Sequence, residues 1–90
     1  MRFEEKIAGG KLVCIEISAT GGRVVSASIT GDFFLHPEER INAMESALIG
    51  VQLEESEDSV AVILEHALGD GQLIGASVRD LARIFRRAVS

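Results

Sequence analysis

The chain has 90 residues, enough for one domain spanning 1–90 and too few for two. A hydrophobic fraction of 47% argues against disorder, and no apolar run approaches the roughly 20 residues that span a bilayer. The net charge of −5 argues against general nucleic-acid binding, which depends on neutralising phosphates.

The opening MRFEEK carries glutamates and no apolar block, unlike a signal peptide. The single cysteine, Cys14, allows no intrachain disulfide and fits a reducing compartment, so the expected location is cytoplasmic. Residues 2–7 read as a short strand with Phe3 and Ile7 inward. The AGGK stretch then turns the chain into a second strand, in which Val13, Ile15 and Ile17 alternate with Leu12, Cys14, Glu16 and Ser18. The TGGR stretch reads as a hairpin turn. The third strand places Val25, Ala27 and Ile29 on one face and Ser26, Ser28 and Thr30 on the other. Opposed residues in an antiparallel pair share a face, so Ile15 should oppose Ile29 and Ile17 should oppose Ala27. That register leaves a three-residue loop, Gly21-Gly22-Arg23, or a two-residue loop with a bulge.

Three helices are expected next. The first would start at Pro37, with Glu38 and Glu39 in its first turn, carry Ile41, Met44 and Leu48 as its stripe, and end at Gly50. The second follows Ser56 or Ser59, matches a helical period with Val60, Ile63, Leu64, Ala67 and Leu68, and ends at Gly69. The third begins at a capping-box-like Ser77 and Asp80, and carries Val78, Leu81, Ala82, Phe85 and Val89. Between the last two helices, GDGQLIGAS reads as a loop anchored by Leu73 and Ile74. The fold class is α+β: a three-stranded antiparallel meander followed by three helices packed on one face.

Chemistry-bearing patterns are sparse. His36 and His66 have no second ligand at metal spacing, so no metal site is expected. No nucleophile–base signature and no phosphate-binding loop occurs, so no catalytic residue is assigned. Charge is uneven: Glu38 to Asp70 holds nine acids against one base, Arg40. Arg79, Arg83, Arg86 and Arg87 then recur at helical spacing. They read as a solvated helix face, as a docking strip for an acidic partner, or as a strip satisfied internally by the acidic belt.

The stretches AGGKLVCIEI and GGRVVSASITGDFFLHPEE resemble the small C-terminal domain of lipoate–protein ligases. That accessory domain carries a Gly-Gly-Lys turn entering a strand, here Gly9, Gly10 and Lys11. It also has a Gly-Asp-Phe-Phe corner feeding a helix, here Gly31, Asp32, Phe33 and Phe34. Ala8 departs from the proline that many relatives have before the glycine pair.

The resemblance implies the accessory subunit of a two-chain ligase, with no complete active site on this chain. Such ligases use ATP to activate lipoate to lipoyl-adenylate and then pass the lipoyl group to a lysine of an acceptor domain. ATP and lipoate, with Mg, would sit on the large catalytic subunit rather than on this chain. Indirect partners would be the lipoyl-acceptor domains of 2-oxoacid dehydrogenase or glycine-cleavage proteins; neither nucleic acid nor membrane is an expected partner.

In the register above, both motifs fall at one end of the sheet, with Leu12 near Asp32. By parity Phe33 and Leu35 point inward, while Phe34 joins Leu12 and Cys14 as an apolar spot on the open face. The expected partner surface is therefore Gly9, Gly10, Lys11, Leu12, Asp32 and Phe34, with Lys11 the candidate nucleotide contact. The competing reading is a small adaptor or sulfur-acceptor scaffold like the iron–sulfur assembly proteins, which would rest on Cys14 alone.

Overall fold

Period-two alternation, clearest at Val13, Ile15 and Ile17 of the second strand, marks the main sheet. The computed structural model describes residues 1–90, and its first three strands, β1 (Arg2–Lys6), β2 (Leu12–Thr20) and β3 (Arg23–Gly31), form an antiparallel sheet in the order β1-β2-β3. Ile15 opposes Ile29 and Ile17 opposes Ala27, as the face pattern requires. Gly21 and Gly22, both at positive φ, make a two-residue turn between Thr20 and Arg23.

Of the two alternatives for this hairpin, the two-residue loop with a bulge is the one that forms, and the inward placing of Val25 fails with it. The register slips between Ser18 and Ala19, so that Ala19 opposes Val24 and Val25 is the extra residue of a β-bulge. The bulge inverts parity only on its turn side, at Arg23 and Val24, while Ala27 and Ile29 keep the expected face. Val24, not Val25, enters the core, and Val25 is 52% exposed.

Past Gly31 the chain bends and forms a short strand, β4 (Phe34–His36). The first helix, α1 (Arg40–Leu48), starts three residues later than Pro37 suggested. His36 is extended before its proline, as X-Pro sterics favour. Residues 37–39 then wind a tight turn with i→i−3 bonds, Arg40 N–H to Pro37 O at 3.0 Å and Ile41 N–H to Glu38 O at 3.1 Å. Glu38 and Glu39 thus precede the helix instead of occupying its first turn.

Helix α2 (Glu57–Leu68) is capped by the Ser56 hydroxyl, which accepts the Ser59 N–H, and ends at Gly69. Helix α3 (Val78–Val89) has the full reciprocal capping box of Ser77 and Asp80. Between them the expected loop contains a fifth strand, β5 (Gln72–Ile74), which pairs antiparallel with β4 as a separate two-stranded sheet. Leu73 packs against the core as expected, but Ile74 is exposed on the other face of this ribbon.

The three helices cover one face of the main sheet. Val13, Ile15, Ile17, Val24 and Ile29 meet Met44, Leu48, Val60, Leu64, Leu81, Ile84 and Phe85 in one buried cluster. At about 25 cal/mol per Å² of apolar surface, each such side chain contributes on the order of 1.5–3 kcal/mol. The β3 edge is closed as well. Val24 N–H donates to Val51 O at 2.9 Å, Leu53 N–H donates to Gly22 O at 2.9 Å, and Ile29 N–H donates to the Glu45 carboxylate at 2.8 Å. No helix is long and apolar enough to cross a membrane.

Candidate partner interface

The two glycine motifs converge where β2 begins and β3 ends. Asp32 N–H donates to Leu12 O at 2.8 Å, and Leu12 N–H donates to Asp32 Oδ2 at 3.4 Å. Gly31 makes this closure sterically allowed. A Cβ there would lie 2.4 Å from Leu12 O and 3.1 Å from Phe33 Cδ1, and its φ is +156°. Ahead of β2, Ala8–Gly10 forms a 3-10 turn closed by Gly10 N–H to Ile7 O at 3.0 Å, with Ile7 N–H donating to Lys11 O at 2.8 Å. Lys11 leaves this turn extended and exposed, and its ammonium has no ion-pair partner in the chain.

Of the expected surface, Leu12 and Asp32 are therefore bonded to each other, Lys11 adjoins Leu12, and Gly9 and Gly10 lie in the preceding turn. Phe34 stands apart, because the bend at Asp32 moves it into the second sheet. The expected apolar spot of Leu12, Cys14 and Phe34 does not form on one face. Cys14 is buried between its cross-strand neighbours Glu4 and Thr30, and Leu12 is half-buried.

Phe34 gains a different neighbour. Its cross-strand partner is Ile74, so both side chains lie on the same face of the ribbon. They are 72% and 57% exposed, respectively, the two most solvent-exposed large apolar residues near this corner. Phe33 and Leu35, of opposite parity, pack against the core. A shallow groove of about 260 Å³ runs along the corner, lined by Phe33, Phe34, Leu35, Glu38 and Ile41. Sequence reasoning missed Ile74 and the groove. The available signal was Gln72-Leu73-Ile74, a short run flanked by Gly71 and Gly75 with period-two parity.

The arginine strip on α3 is consumed internally. Arg79 pairs with Asp58 at 2.6 Å, and Arg83 bridges Glu5 at 2.6 Å and Asp80 at 3.0 Å. Arg86 donates to Leu53 O. The Arg87 guanidinium lies 5.6 Å from the centre of the Phe3 ring. Glu5 of β1, outside the acidic middle of the chain, supplies the main partner for Arg83. Its hydrogen bond raises the Arg83 pKa against the opposing effect of burial. Burial alone would raise the pKa of Asp80. The Ser77 N–H, the Arg83 guanidinium and the Ser77 hydroxyl outweigh it and hold Asp80 below its ordinary value. No group of three or more His, Cys, Asp or Glu side chains is arranged to hold a metal ion.

No protein-family model matches the chain. A Thermoplasma acidophilum protein described as lipoate-protein ligase A subunit 2 is 35% identical over 49 residues, 54% of this chain. The chain thus matches only about half of that relative, 52% of its length. In three dimensions nearly all of the chain superposes on a chain from a solved archaeal lipoylation system of the same organism. That system is described as a bi-partite lipoate protein ligase and its E2 lipoyl domain. The TM-score is 0.74 at 25% identity, covering 96% of each chain. The resemblance to the lipoate–protein ligase accessory domain holds in sequence and in fold. Both likenesses are to proteins of lipoate–protein ligase systems.

Proposed function

We propose that this chain is the accessory subunit of a lipoate–protein ligase, acting with a separate catalytic chain. In this reading the catalytic chain holds lipoate, ATP and Mg, and both chains together activate lipoate to lipoyl-adenylate. The lipoyl group then passes to a lysine on an acceptor domain. The observation that carries the reading is the match across 96% of both chains to a chain of a bipartite ligase system.

The accessory chain docks through the end formed by Gly9, Gly10, Lys11, Leu12 and Asp32 and, apart from it, through Phe34, and its closure excludes water from a reactive acyl-adenylate. Lys11 is suited to a phosphate because no carboxylate of its own chain pairs with it, whereas every arginine is engaged by a carboxylate or a carbonyl. The groove of about 260 Å³ is smaller than the roughly 300–1,000 Å³ of a small-molecule pocket, which supports placing nucleotide and lipoate on the partner.

The test is co-purification with a candidate catalytic chain, then ATP- and lipoate-dependent adenylate formation with and without this subunit. Adenylate should form only with both chains present. Lys11→Ala should reduce that step more than transfer from pre-made lipoyl-adenylate. A catalytic chain that activates lipoate equally well alone would overturn the proposal.

A further inference from the structure

The Phe34 corner can be specified further. Folding leaves the Phe34–Ile74 pair exposed although Phe33, Leu35 and Leu73, their immediate neighbours in sequence, all reach the core. Beside the pair, the groove is lined by four apolar residues and one acidic residue, the exposed Glu38. Glu38 forms no ion pair or side-chain hydrogen bond within the chain, and the exposed Glu39 next to it forms none either. An apolar floor with an unpaired anionic rim fits one kind of occupant.

We propose that this groove seats a large apolar side chain from the catalytic partner, carried next to a lysine or arginine that pairs with Glu38. The inference rests on the accessory-subunit reading for the partner's identity, and adds the site and the chemistry of the contact. Size favours a single side-chain anchor over a whole small molecule. Charge complementarity favours a foreign partner over a second copy. A symmetric pairing through this patch would set Glu38 and Glu39 of one copy against the same acids of the other. A second copy also has little cation to offer, since its arginines are all engaged and only Lys6 and Lys11 stay unpaired. Apolar anchors in such pockets, rimmed by charge, are where interface energy concentrates.

The test is calorimetric titration of the full chain into the candidate catalytic chain at low and moderate salt, with sedimentation of the isolated chain alongside. Phe34→Ser should weaken binding by at least about tenfold, with Ile74→Ser weaker in effect. Glu38→Gln should weaken binding several-fold at low salt and flatten its salt dependence. Thermal melting of each variant checks that the fold is intact. If the wild type binds and both Phe34→Ser and Glu38→Gln bind equally well, the groove assignment is wrong while the accessory-subunit reading stands. Loss with Phe34→Ser but an unchanged salt dependence with Glu38→Gln removes the cationic neighbour. A dimer of the isolated chain that Phe34→Ser dissociates makes a second copy the occupant and overturns the proposal. Failure of the wild type to bind the catalytic chain at all refutes the accessory-subunit reading, and with it this partner.

Discussion

The two sheets of this domain are built on opposite terms. The main sheet has strands of up to nine residues, and the face under the helices is sealed: Val13, Ile15, Ile17, Val24 and Ile29 are all buried. The β4–β5 ribbon has strands of three residues and buries none of them fully. A two-stranded ribbon is marginal by itself. This one is held from outside, by Phe33, Leu35 and Leu73 on the core and by Arg40, which lies against Gly69 and Gly71 and pairs with Asp70 at 3.0 Å. The difference separates residues that specify the fold from residues the fold merely displays. Apolar character alone does not distinguish them, since Ile74 and Ile29 are the same residue type with opposite fates.

Substitutions can break or sharpen that contrast. The largest loss should follow Phe85→Ala, which empties a fully buried position of the helix layer. It should cost about 3–5 kcal/mol in urea unfolding, enough to unfold a small domain in part. Next comes Gly31→Ala, where the added Cβ meets the Leu12 carbonyl in a conformation that favours glycine. A loss of about 1–3 kcal/mol is expected, with weakened protection of the Asp32 amide read by NMR. Asp80→Ala removes the carboxylate half of the α3 capping box and one partner of Arg83, for about 0.5–2 kcal/mol at neutral pH. Because the Asp80 pKa is lowered by folding, its contribution is fully present above about pH 4 and disappears as pH falls through the folded value. The wild type and Asp80→Ala should therefore converge in stability at the acid end of a pH series. The smallest effect should be Phe34→Ser, within about 0.5 kcal/mol by thermal melting. A large loss there would mean that the ribbon supports the core rather than resting on it.

Much of the main sheet was legible because period-two alternation and the Gly21–Gly22 turn agree on one register. The helices were legible through their stripes and through the Ser56 and Ser77 caps. What escaped has local physical causes. A bulge was one of two readings of the hairpin, but its position at Val25 carries no sequence mark, since Val24 and Val25 are identical residues. The late start of α1 reflects a turn at residues 37–39 that proline permits as readily as it permits a helix. Strand β5 is a long-range partner of β4, and three residues carry too little periodicity to announce it. For the candidate interface, the split of Phe33 and Leu35 from Phe34 was readable from parity. The separation of Phe34 from Leu12 and Cys14 was not, because it depends on the bend at Asp32.

The bond from the Ile29 amide to Glu45 has a consequence for exchange with solvent. A backbone amide pointing outward from an edge strand ordinarily swaps its hydrogen for deuterium within the local fluctuations of that edge. Here Glu45 of α1 supplies the missing acceptor, so release of the Ile29 hydrogen requires that side chain to swing away or the helix to lift from the strand. Ile29 should exchange more slowly than an unpaired edge amide, and Glu45→Ala should speed it, so the amide reports from the rim of the sheet on its contact with the first helix.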